Sequence, residues 1–91
     1  MGWGAARKLR LSVTNLRRVL AVELVCAARA LELRAPLRPA PGTAAALEAV
    51  RTRIPGPGPD RYVAPELAAA EELLAAGALL AAVESRIGTL Q

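Results

Sequence analysis

From Ala5 to Ala35 the chain runs 31 residues without a proline or glycine, and Pro36 then ends the run. Proline disfavours a helical conformation in the residue before it and cannot continue the hydrogen-bond ladder. Gly2 and Gly4 leave the start loose, so one helix over about 5–35 is expected. Its apolar positions Leu9, Val13, Leu16, Leu20, Leu24, Ala27 and Leu31 recur every three to four residues, the spacing of one helical face. From Val19 to Ala28 only Glu23 is polar, and a helix apolar all round is expected to be covered on all sides. Such a helix extends about 45 Å. A compact chain of 91 residues has a diameter of only about 30 Å. The helix therefore overshoots any globule the chain could build alone, and belongs to a larger bundle or an oligomer.

Composition agrees. Hydrophobic residues make up 54% of the chain, too many for a disordered tail. Yet 21 are Ala and 15 Leu, with no Phe, one Trp and one Tyr. That is a helix former's composition with little bulk to fill a self-contained core.

The remaining segments are short. Pro36 to Gly42 reads as a stiff connector with a P-x-x-P spacing, taken here as a linker rather than an SH3 ligand. Thr43 can cap a helix over about 43–53 that presents Leu47, Val50 and Ile54 on one face. Residues 54–63, with Pro55-Gly-Pro-Gly-Pro59, form a loop. Pro65 and Glu66 suit a first helical turn, opening a helix over about 65–76 with Leu67, Ala70, Leu73 and Leu74 buried and Glu71 and Glu72 outward. Gly77 suits a C-terminal cap, and a last helix over about 78–86 buries Leu79, Leu80 and Val83. No strand pattern occurs. The expected fold class is all-α, one long helix followed by three shorter ones, as part of a larger helical bundle.

Several kinds of chemistry are excluded by what the chain lacks. With no His there is no imidazole to bind a metal or activate Ser12 or Ser85. One cysteine makes neither an internal disulfide nor a zinc or iron–sulfur cluster. Cys26 lies in the apolar stretch and is expected to be a small buried hydrophobe. Gly2-Trp3-Gly4 lacks the preceding strand and third glycine of a dinucleotide fingerprint. No signal peptide or membrane span fits, which points to a soluble, cytoplasmic protein with no membrane partner.

Charge is uneven. Residues 1–38 hold eight basic and two acidic groups, residues 39–91 four and six. Nucleic-acid binding would use Arg7, Lys8, Arg10, Arg17 and Arg18, but stacking aromatics are nearly absent. Because eleven of the twelve basic residues are Arg, pairing with acidic residues of neighbouring helices is expected instead, with no nucleic-acid partner. Glu23 stands out, since its helical neighbours Val19, Leu20, Cys26 and Ala27 are all apolar. A bare buried carboxylate would cost several kcal/mol, about what breaking a buried ion pair costs. Glu23 is therefore read as one half of an inter-helix ion pair or hydrogen bond, in preference to a general acid or base.

Four stretches in register resemble a known family. Met1 to Arg7, Asn15 to Leu24, Ala27 to Arg34 and Asp60-Arg61-Tyr62-Val63-Ala64-Pro65-Glu66-Leu67 are similar to the C-terminal region of the histidine ammonia-lyases, within the aromatic amino-acid lyases. The resemblance covers essentially the whole chain. It implies an enzyme that removes ammonia from L-histidine to give trans-urocanate, built as a homotetramer of long, nearly parallel helices. The family's electrophile, methylidene-imidazolone, is self-formed from an Ala-Ser-Gly that is absent here. The family's Gln-Glu-Asp-His-Val-Ser run, whose Glu handles the substrate amino group, would directly precede Met1.

None of the family's principal catalytic residues maps onto residues 1–91, so the expected catalytic, cofactor-binding and metal sites in this chain are none. The expected partners are the remainder of the lyase chain and other lyase subunits. The long helix would begin beside the family's active site, where its N-terminal partial charge would favour a substrate carboxylate or an electron-rich electrophile nearby. On this reading the chain is an inactive C-terminal structural part of such a lyase; the alternative is a free-standing helical interaction protein derived from one.

Overall fold

The computed structural model describes Gly2–Gly56, Gly58 and Val63–Leu90, and these residues form four helices: α1 (Trp3–Leu33), α2 (Pro41–Arg51), α3 (Ala64–Ala76) and α4 (Ala78–Ile87). Among the described residues there is no strand, and the chain is all-α. Asp60, Arg61 and Tyr62, which carry part of the family resemblance, lie outside the described residues, as does much of the loop expected over 54–63.

α1 begins at Trp3, because Gly4 is tolerated within a first turn, and ends at Leu33. Ala35 must leave the helix ahead of Pro36, so Arg34 to Leu37 fold into a turn in which the Leu37 N–H donates to the Arg34 carbonyl at 3.0 Å. The segment read as an extended connector is thus a turn at its start. It is also shorter than expected, because Pro41 and Gly42 belong to α2. Proline at the first position of a helix loses no hydrogen bond and arrives with a helical φ. Ala40 is the N-cap, with no side-chain cap, so Thr43 lies inside the helix and does not cap it.

α1 packs against α3 and α2 against α4, while α3 and α4 touch lightly across Gly77. Gly77 sits at φ 70° and lets the chain turn between two helices with no connecting loop. A side chain there would project into open space, so its cost is purely conformational. Gly77→Ala is expected to destabilise by about 1–2 kcal/mol, read as a lower urea midpoint with unchanged helicity.

The core gathers where the two pairs meet. Ala21 and Ala28 of α1, Val50 of α2, Ile54 beyond it, and Ala69, Ala70 and Leu73 of α3 form one cluster, with Leu24, Val25 and Leu47 leaning on it. α4 contributes no fully buried residue, and Leu80, expected to be buried, is 53% exposed. Arg51 ties the pairs together. Its Nε donates to Glu32 Oε2 of α1 at 2.8 Å, its Nη2 pairs with the other Glu32 oxygen, and its Nη1 donates to the Ile54 and Pro55 carbonyls at 3.0 and 2.9 Å. Arg18–Glu71, Arg53–Glu72 and Arg86–Glu48 are further pairs between segments, mostly at the surface. Arginine is thus spent on neighbouring helices, though exposed pairs of this kind contribute only about 0–1 kcal/mol each.

The result is elongated. Its radius of gyration is 15.3 Å and its longest dimension 53 Å, against about 12 Å for a compact chain of this length.

Candidate functional site

The surface that stands out is on α1. Every described residue from Gly2 to Val13 is exposed, so the first third of the helix projects beyond the core. Trp3 is 78% exposed and Leu9 66%. Further along, the covering expected around Val19–Ala28 is partial. Ala21 and Ala28 are buried, whereas Val19, Leu20 and Val22 stay exposed, as does Cys26, which is not the buried hydrophobe expected.

Helical geometry explains this. At roughly 100° per residue, Ala21 and Ala28 point toward α3, and Val25 leans the same way. The leucine stripe lies about 100° further round the helix. Leu9, Val13, Leu16, Leu20 and Ala27 of that stripe are exposed, and only Leu24 and Leu31, at its edge, are half-buried. The stripe that dominates the sequence pattern is therefore not the face this chain covers with its own residues. α3 takes a seam of alanines, whose small side chains let two backbones approach closely, and the leucines face outward.

A sector roughly 120° wide runs along α1 from Ala5 to Leu31. Within it Glu23 is the single charged residue, and it is exposed. Arg7, Lys8, Arg10, Arg17, Arg18 and Arg29 all fall outside that sector. Arg18 reaches across to Glu71 at 3.8 Å, and Arg17 is half-buried. Among the described residues no ion pair involves Arg7, Lys8 or Arg10, which with Trp3, Leu11 and Thr14 line a shallow open recess.

The other sequence candidates carry no assembled chemistry. Ser85 donates its hydroxyl to the Ala82 carbonyl at 2.8 Å, a local helix contact, and Ser12 is exposed on α1. Among the described residues no group of acidic or cysteine side chains is placed to hold a metal, and no helix is long and apolar enough to cross a membrane. Glu66, placed by sequence in a first turn, is 6% exposed, a burial its neighbours in sequence do not announce. Arg51 was also invisible in the sequence, because it meets Glu32 across 19 residues and a change of direction.

Residues 1–52 match the family model for aromatic amino acid lyases. The chain is 58% identical over 92 residues to a histidine ammonia-lyase of Streptomyces coelicolor and 50% identical over 91 residues to one of Symbiobacterium thermophilum, each alignment covering 100% of this chain. A histidine ammonia-lyase of Gloeobacter violaceus is 44% identical over 90 residues, covering 99%. The chain spans about 18% of the length of each of these relatives. No solved structure matches.

Proposed function

The chain belongs to the aromatic amino acid lyase family, and from that premise we propose that it is a structural segment of a histidine ammonia-lyase, the C-terminal part of an enzyme that converts L-histidine to trans-urocanate and ammonia. The observation that carries this is the 58% identity to the Streptomyces coelicolor lyase, sustained over the whole chain. The exposed leucine stripe of α1 supports it, since such a face asks for a much larger helical body. The enzyme works as a cytoplasmic homotetramer, and this segment meets both the remainder of the lyase chain and other subunits.

The residues present do not fit the family's electrophile. Ser12 lies between Leu11 and Val13 and Ser85 between Glu84 and Arg86, so neither belongs to an Ala-Ser-Gly. The methylidene-imidazolone is supplied elsewhere, and no step of the reaction runs through residues 1–91. Their task is mechanical: α1, braced by α3 and by the Arg51–Glu32 pair, presents a wall against which the catalytic part is assembled.

Complementation tests this. The Streptomyces coelicolor lyase, produced without the segment equivalent to these residues, is mixed or co-expressed with this chain, and urocanate is followed by its ultraviolet absorbance with L-histidine as substrate. Neither part alone is expected to turn over, and the two together are expected to recover activity. A wild-type pair that stays inactive, beside an active intact lyase, refutes the proposal.

A further inference from the structure

The sector of α1 between Ala5 and Leu31 is specific about what can lie on it. It is about 40 Å long, whereas the longest of the other helices in the chain, α3, has 13 residues and extends only about 20 Å. None of the other described helices can cover it, and α3 already occupies the alanine seam. Its surface is apolar except for Glu23, and an apolar helix laid along it would take that carboxylate out of water. Several kcal/mol per ion are lost on such a transfer unless an opposite charge is met.

A second copy of α1 cannot supply that charge, because every basic residue of α1 lies outside the sector. Packed parallel, it would set Glu23 against Glu23. Packed antiparallel, it would set two carboxylates against apolar side chains.

We propose that this sector is the seat of one long, apolar helix from the remainder of the lyase, of about 25 residues, bearing a single Arg or Lys at the height of Glu23. The assignment rests on the reading of the chain as a lyase segment. Leu9, Val13, Leu16 and Leu20 give the contact its area, and the ion pair gives it register. A shift of the partner by one turn moves its cation about 5 Å from the carboxylate and leaves both charges buried and unpaired. Glu23 is thus a specificity device for the docking of α1, with no part in the chemistry.

The test uses this chain with the Streptomyces coelicolor lyase lacking the equivalent segment. A benzophenone amino acid replaces Leu16, inside the sector, and the cross-linked peptide is identified by mass spectrometry. It is expected to come from one helix of the lyase portion that contains an Arg or Lys. Capture of that portion is expected to weaken at least about tenfold with Glu23→Gln and to be lost with Glu23→Arg, in line with measured couplings of close interfacial charge pairs. Lys8→Ala, outside the sector, leaves capture unchanged. Circular dichroism shows whether each variant retains the helicity of the parent, and replacing the partner's cation by Glu is expected to restore capture of the Glu23→Arg chain.

A cross-link to α1 of a second copy, or to a helix without a basic residue, overturns the proposal, as does undiminished capture of Glu23→Arg. If the wild-type pair is captured and active while the Glu23 variants behave like it, the docking assignment fails and the functional reading stands. If the wild-type pair neither associates nor turns over, both fail.

Discussion

Ile54→Ala is expected to destabilise the folded chain by about 3–5 kcal/mol, at the upper end for truncation of a buried isoleucine. Ile54 is 1% exposed and, with Val50, is one of the two largest fully buried side chains among the described residues. Four of its partners in the cluster are alanines, at positions 21, 28, 69 and 70. A leucine beside a cavity can change rotamer and fill part of it, but alanine has no side-chain torsion with which to do so. The cavity therefore stays open and its full penalty is felt. The position compounds the effect, since Ile54 lies where α1, α2 and α3 converge and Arg51 holds its carbonyl. The measurement is the urea midpoint of the complemented lyase, followed by loss of urocanate formation. A shift no larger than that of Gly77→Ala would contradict the packing described.

The second large effect concerns the chain on its own. Leu9, Val13, Leu16 and Leu20 share one face and are all exposed, on a helix whose first third is exposed throughout. Contiguous apolar surface of this kind drives association. The isolated chain is expected to elute as concentration-dependent assemblies, with high far-ultraviolet helicity but a broad, weakly cooperative melt. Adding the remainder of the lyase is expected to convert it to a single complex with a sharp transition. Light scattering coupled to size exclusion gives the first result and calorimetry the second. A discrete monomer with a sharp melt of its own would show that the stripe is tolerated in water, and would favour a free-standing protein.

The sequence made α1 legible because its signals are local: a run free of proline and glycine, and Pro36 acting on its immediate neighbour. The interior was less legible. Leucines dominate any hydropathy pattern, so the Leu9–Leu20 stripe seemed the face to bury, whereas the face that α3 covers is made of Ala21, Ala28, Ala69 and Ala70. Alanine carries almost no hydrophobic signal, and its role here is to permit close approach, which is a property of two helices together. Cys26 and Leu80 were misplaced for a related reason. Both sit in apolar stretches, but an apolar neighbourhood in sequence says nothing about which side of a helix its partner takes. Glu23 was conspicuous from the start, while Arg51 and Glu32 were ordinary surface charges until the fold brought them together.

The alanine seam has a consequence for precision. Contact between α1 and α3 is concentrated around residues 18–28, from the Arg18–Glu71 pair to Ala28, while the helix continues to Trp3. It is a cantilever clamped at one end, about 22 Å from clamp to tip. A rotation of about 5° at the clamp moves the tip by about 2 Å over a lever of that length. Angstrom displacements at reacting groups cost about a hundredfold in rate. If the tip stands beside the lyase active site, Ala21 and Ala28 govern turnover from far away by setting the aim of the helix, and their tolerance is measured in degrees rather than in volume.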